Sequence, residues 1–275
     1  MIIDTHAHLN FNAYKDDSKE IVDKTLKNNI WMINVGSQYS TSKRAVEMAE
    51  KYPEGVYAAI GLHPIHLAEG IFKTKIDQEE IEFKTKDEIF DYDQYKELAK
   101  SKKVVAIGEI GMDYWYKPKT NIKLEEFKNK QKEVFLKQLE LAKDLNLPVI
   151  LHCRVAHNDM LQVLKEFNWP ELKGTMHCFT GTWQEAQEYL KLGFYLGING
   201  IVFKMDLEEV IEKAPLDKIL LETDCPYLVP SQAGSQRNEP IYLEYIIKKI
   251  AEVKKLSVKE IEDATTANAK KLFGI

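Results

Sequence analysis

Eight short apolar runs recur along the chain, and most are continuously apolar rather than alternating. They are MIIDTHAHL (residues 1–9), WMINVG (31–36), VYAAIGLHP (56–64), VVAIGEIGMDY (104–114), PVILHC (148–153), GTMHCFTG (174–181), FYLGINGIV (194–202) and KILLETDCP (218–226). Unbroken runs of this length mark parallel strands buried on both faces. Between them, segments such as AVEMAEKY and QKEVFLKQLELAKDLN repeat apolar residues at helical spacing and predict amphipathic helices. Thr182 and Glu185 form a capping box ahead of a helix that should stop at Gly193. Ser257 and Glu260 open a last helix ending near Gly274.

Strands alternating with helices predict an α/β chain, and eight of each predict a (β/α)8 TIM barrel occupying residues 1–275 as a single domain. A doubly wound open sheet competes. Two features weigh against it: no strand is followed by GxGxxG, and polar residues able to do chemistry end at least six of the eight runs. Such residues converge at the C-terminal face of a closed barrel. Residues 67–103 make a longer connection, rich in Lys and Glu. Its EIFDYDQYKELAK part has the pattern of the third helix, while KTKIDQEEIEFKTK reads as an exposed charged insertion or as a lid over the mouth.

Composition narrows the class. With 44% hydrophobic and 29% charged residues the chain is globular, and no stretch approaches the ~18 apolar residues of a membrane helix. No basic-then-apolar signal segment opens it, so a cytoplasmic location is expected, with no membrane and no obligate protein partner. Cys153, Cys178 and Cys225 lack CxxC spacing, which argues against a disulfide framework and a thiolate zinc site. Each follows a candidate ligand, and strand alternation should turn it to the opposite face, to pack beneath the outer helices. A net charge of -5 gives no overall basic footprint for nucleic acid, but a bound metal with local arginine or lysine could still hold a phosphate.

The strand ends carry the chemistry. His6 and His8, two residues apart, project the same way from the first strand. Glu109 ends the fourth, His152 the fifth, His177 the sixth and Asp224 the eighth. Four imidazoles and two carboxylates suit one or two divalent cations, and Glu109, with two oxygens, is the best bridge between a pair roughly 3.5–4 Å apart. Six ligands exceed the four of a structural zinc, so an open catalytic site is expected. His63 should line the pocket; His66 fits pocket or loop surface equally, and His157 has no assigned role. Arg154 shares the face of His152 and either clamps an anionic substrate or pairs with a carboxylate. Asp113 shares the face of Glu109, and Glu222 that of Asp224. Glu222 either orients a ligand histidine or is simply buried against a cation.

The segments DTHAHLN, GLHP, GEIGMDY, LHCR, HCFTG, GINGIVF, ETDCPYL and RNEP, in order over nearly the whole chain, resemble the TatD family of metal-dependent deoxyribonucleases within the amidohydrolase-like TIM barrels. The resemblance implies a divalent-metal nuclease trimming DNA from its 3′ end, with single strands or 3′ ends as substrate. It implies ligand roles for His6, His8, Glu109, His152, His177 and Asp224, with His63 lining the site, and it marks Arg237–Pro240 as the family's loop after strand 8. Two departures bear on substrate choice: a long connection from His63 to Glu109, and extra residues in GMDYWYKPKTNIKLEEF.

The expected mechanism is two-metal hydrolysis in which activated water gives its proton to Asp224 and Glu109 bridges the ions. Arg154, or Lys204 after strand 7, would share the charge on phosphorus. Nitrogen-rich ligation favours zinc, manganese, cobalt or nickel, whereas phosphoryl chemistry and the family pull towards magnesium or manganese. Hydrolysis of a carboxylic ester, lactone or amide is the alternative on the same barrel, and a non-catalytic binding module would need a missing ligand. Tyr114, Trp115 and Phe179 either stack on bases or pack.

Overall fold

The computed structural model describes residues 1–67, 89–115, 117–167 and 169–275. The strands are β1 (Ile2–Ala7), β2 (Ile30–Val35), β3 (Val56–Ile60), β4 (Val104–Asp113), β5 (Val149–Arg154), β6 (Gly174–Met176), β7 (Tyr195–Ile198) and β8 (Ile219–Leu221). They pair in parallel in chain order, and each is followed by a helix: α1 (Ser18–Lys27), α2 (Tyr39–Ala49), α3 (Tyr92–Leu98), α4 (Asn121–Leu145), α5 (His157–Glu166), α6 (Trp183–Lys191), α7 (Glu208–Lys213) and α8 (Leu243–Lys254). A further helix, α9 (Val258–Phe273), packs against β1 and β8. This is the (β/α)8 barrel that the apolar runs predict. Both capping boxes form, at Thr182 with Glu185 and at Ser257 with Glu260, and α9 ends on Gly274 in the left-handed region. The third helix begins at Tyr92 because the Asp91 carboxylate caps it, accepting from the Gln94 N–H at 3.0 Å. The expected insertion KTKIDQEEIEFKTK lies outside the described residues. Among the described residues no helix is long and apolar enough to cross a membrane.

The seam that closes the barrel is made at the site itself. The Asp224 N–H donates to the His6 carbonyl at 2.8 Å and the His8 N–H to the Cys225 carbonyl at 2.9 Å. Beneath it the buried Asp4 carboxylate accepts from the Thr223 N–H (2.9 Å) and hydroxyl (2.5 Å). Closing β8 onto β1 therefore sets Asp224 beside the two histidines of the first strand. β6 and β8 stop sooner than the apolar pattern suggests, since the backbone turns into the left-handed region at Cys178 (φ 44°) and Asp224 (φ 57°).

Candidate metal centre

The side chains brought together are those singled out in the apolar runs, although Glu109, expected at a strand end, stands inside β4, which continues to Asp113. His6 Nε2 lies 3.1 Å from His8 Nε2, 3.4 Å from Glu109 Oε2 and 3.9 Å from Asp224 Oδ1. His8 Nε2 is 3.3 Å from Asp224 Oδ1, and its Nδ1 faces the Val35 carbonyl at 2.9 Å, which fixes the ring. The other oxygen of Glu109 meets a different set of rings: Oε1 is 2.7 Å from His152 Nδ1, 3.5 Å from His63 Nε2 and 3.8 Å from His177 Nε2. One carboxylate thus touches two groups of imidazoles, one with each oxygen. Potential ligand sets are His6, His8 and Glu109; His6, His177 and Asp224; and His63, Glu109 and His152. His63, expected only to line the pocket, stands among possible ligands.

The surrounding residues hold these groups in place. Asp113 sits 3.0 Å from His152 Nε2 through Oδ2, while Oδ1 accepts from the Trp115 N–H at 2.8 Å. Glu222, fully buried, lies 2.9 Å from His177 Nδ1 and accepts from the Cys178 N–H (2.7 Å) and the Asn199 amide (3.0 Å). Alternation along β8 does not explain that contact, because the strand ends at Leu221; Glu222 faces His177 and Asp224 faces His8. Gly197 in β7 makes room for it: a Cβ there would come within 2.3 Å of Glu222 Oε2. Gly111, at φ 147°, similarly lets the chain pass the His152 carbonyl.

Several supports escaped the sequence reading. Gln131 of α4 accepts from the Asp113 N–H (2.8 Å) and donates to its carbonyl (2.9 Å). Gln138, two turns on, treats Leu62 the same way at 2.7 and 3.0 Å. Each amide imitates a neighbouring strand where pairing has ended; two glutamines seven apart on an apolar helix face were the available signal. In the segment after β8, Asn238 donates to the carbonyls of Thr223 (2.9 Å) and Tyr227 (2.6 Å), bracing the turn that carries Asp224. Arg237 pairs with Asp17 and lies over Tyr14.

Other expectations divide. Arg154 and Trp115 line the cleft, the guanidinium 4.4 Å over the indole. Tyr114 and Phe179 are buried, Tyr114 donating to Asp159 at 2.9 Å, so both pack. Lys204 is exposed and does not line the cleft. His66 is buried rather than on the loop surface. Cys225 packs as expected; Cys153, although buried, borders the cleft, and so does Cys178, because β6 has ended and alternation no longer governs it.

The electrostatics fit a bound cation. Burial opposes charge on His152 and His177, yet Asp113 and Glu109 lift His152 to about 9, and Glu222, Asp224 and Glu109 lift His177 to about 10. His6, buried and stacked on His177 at 3.4 Å, is pushed down to about 4. Burial would raise Glu109, but the imidazoles of His63, His6 and His177 hold it well below the usual carboxylate range. Protons here balance buried carboxylates as a divalent ion would. Two buried Nε2 atoms 3.1 Å apart, with a carboxylate oxygen 3.4 Å away, form a donor set suited to an ion.

The family profile for TatD-related DNases matches residues 3–274. A metal-dependent hydrolase of Bacillus subtilis, YabD, is 41% identical, covering all of both chains. The 3′-5′ ssDNA/RNA exonuclease TatD of Citrobacter rodentium is 33% identical, over all of this chain and 98% of that one. The crystal structure of YjjV, a TatD homologue from Escherichia coli, superposes with a TM-score of 0.82 at 28% identity, covering 100% of this chain and 98% of that one.

Proposed function

The chain belongs to the family of TatD-related DNases and is a metal-dependent hydrolase; on that footing we propose that it shortens single-stranded DNA from the 3′ end at a pair of divalent ions. The observation that carries the reading is Glu109, whose two oxygens face His6 on one side and His152 with His63 on the other. His6, His8 and Asp224 would hold one ion and His152 and His177 the other, with Glu109 shared and His63 beside the second group. Bound divalent ions supply positive charge that polarises the phosphodiester and acidifies water.

The chain's own groups do the rest. Asp224, kept charged against its burial by His177, His8 and His6, accepts the proton of the attacking water. Asp113 and Glu222 hold His152 and His177 in fixed orientations, so that few side chains must reorganise during reaction. Arg154 takes a non-bridging oxygen of the phosphate through its planar fork. Magnesium or manganese suits phosphoryl transfer, and zinc suits the imidazole-rich donors.

The test is degradation of 5′-labelled single-stranded DNA by metal-stripped protein resupplied with magnesium, manganese or zinc. A metal-dependent ladder shortening from the 3′ end is expected. Folded, loaded protein that leaves the strand intact would overturn the reading. A second reading, hydrolysis of a small carboxylic ester or lactone, is favoured by one observation: among the described residues lining the cleft, Arg154 is the sole arginine or lysine. Lactones assayed beside the DNA decide between them.

A further inference from the structure

The cleft above the metal centre has a volume of about 1040 Å³ and carries its charge unevenly. On the β4–β5 side stand Arg154 and Trp115, a cation on an aromatic face with the indole 57% exposed. The segments after β6 and β7 bring apolar Trp183, Ile201, Met205 and Leu207 to the wall, among Thr180, Thr182 and Gln184. The same segments also carry Glu185, Asp206 and Glu209. Glu185 accepts from the Thr182 N–H at 2.6 Å, Asp206 from the Glu208 N–H at 3.1 Å, and Glu209 lies 2.6 Å from Lys213, which offsets part of its charge.

A groove that follows a nucleic-acid backbone repeats cations along its length, with aromatic rings for the bases. Here a cation and an indole stand at the ends of β4 and β5, and in the segments after β6 and β7, among the described residues, no lysine or arginine lines the wall. At about 1040 Å³ the cleft is as large as the largest typical small-molecule sites, ~300–1,000 Å³, and has room for the end of a strand.

We infer that the lobe beyond β6 and β7 receives the terminal nucleoside as an uncharged unit with a free 3′-hydroxyl, and that it rejects ends capped by phosphate. This rests on the exonuclease reading and adds which end chemistry the site accepts. The base lies on apolar wall, and the hydroxyl donates to a carboxylate, which when ionised only accepts. A terminal phosphate brings acceptors and about -1.5 to -2 charges against like charge. In each turnover the oxygen of water bonds phosphorus, and the bond from phosphorus to the 3′-oxygen of the penultimate nucleotide breaks. That oxygen takes up a proton, so every cleavage leaves a new 3′-hydroxyl end, and the released nucleotide carries the phosphate on its 5′ side.

The test uses the metal-loaded full chain and three single-stranded DNAs of one sequence: a 3′-hydroxyl strand, a 3′-phosphate strand and a covalent circle. The hydroxyl strand should be shortened, the phosphate strand on the order of tenfold more slowly, and the circle left intact. Asp206→Asn with Glu209→Gln should bring the rate ratio of the first two strands towards one. Asp206→Asn retains an oxygen for the Glu208 N–H, so the turn into α7 survives. Equal rates on both ends, or a ratio unmoved by the double substitution, would overturn the inference alone, whereas a circle cut as fast as the linear strand would overturn the exonuclease reading and the inference with it. Loss of cleavage on every strand would overturn the exonuclease reading and the inference with it.

Discussion

Asp224 adopts a left-handed conformation, which aspartate tolerates better than most residues, and that turn aims its carboxylate at His8 rather than along β8. Asp224→Asn keeps the shape and a neutral oxygen ligand but removes the base. Metal should be retained, weakened, while turnover falls by roughly 10²–10⁴; undiminished turnover at full metal content would remove Asp224 from that role. His152 and His177 give a pH signature. Both are raised above the ordinary 6.5, to about 9 and about 10. Their contribution to the stability of the metal-free protein is therefore fully present below about 6.5 and lost as pH rises through 9 to 10. Ligation needs neutral imidazole, so metal affinity should rise with pH over that span and binding near pH 7 should release protons. Calorimetry in buffers of different ionisation enthalpy reads that release, and proton-neutral binding would contradict the assignment.

At the scale of elements, β7 supplies none of the proposed ligands yet shapes the site, because Gly197 leaves the space that Glu222 occupies. Gly197→Ala should displace Glu222 from His177 and weaken metal binding about 10–100-fold, the usual effect of losing such a support. Unchanged affinity by metal titration would make the close approach incidental. The eight strands were legible because burial on both faces writes continuous apolar runs, and His6, His8, His152, His177 and Asp224 were legible because they close those runs, while Glu109 was legible as a carboxylate set within one. Parity failed past the strand ends, at Cys178 beyond β6 and at Glu222 and Asp224 beyond β8, and Cys153, inside β5, also borders the cleft. Gln131 and Gln138 left only the faint signal of two glutamines seven apart on an apolar helix face, and Asn199 and Asn238 were not legible, since a buried amide whose partners lie far along the chain leaves no local pattern.

For the whole molecule, the closing seam and the proposed metal centre are one structure: β1 meets β8 through hydrogen bonds of His6, His8 and Asp224 themselves. An ion held there ties strands from around the barrel and should stabilise it by mass action, about 2.7 kcal/mol at a hundredfold excess over Kd. Chelation should then lower the thermal midpoint on the order of 5–10 °C; a midpoint unmoved by chelator would mean that the ligand cluster adds nothing to the fold. The barrel and the ring of strand-end ligands follow from the apolar pattern, whereas the charge map of the cleft required the assembled loops.

The measurement that bears most directly on the account is elemental analysis of metal per chain, on the unaltered protein and on Glu109→Ala after identical loading. A shared carboxylate predicts two ions per chain, falling to one or none when Glu109 is removed from a protein that stays folded. Equal metal content in the two proteins would contradict the bridge, and with it the two-ion centre.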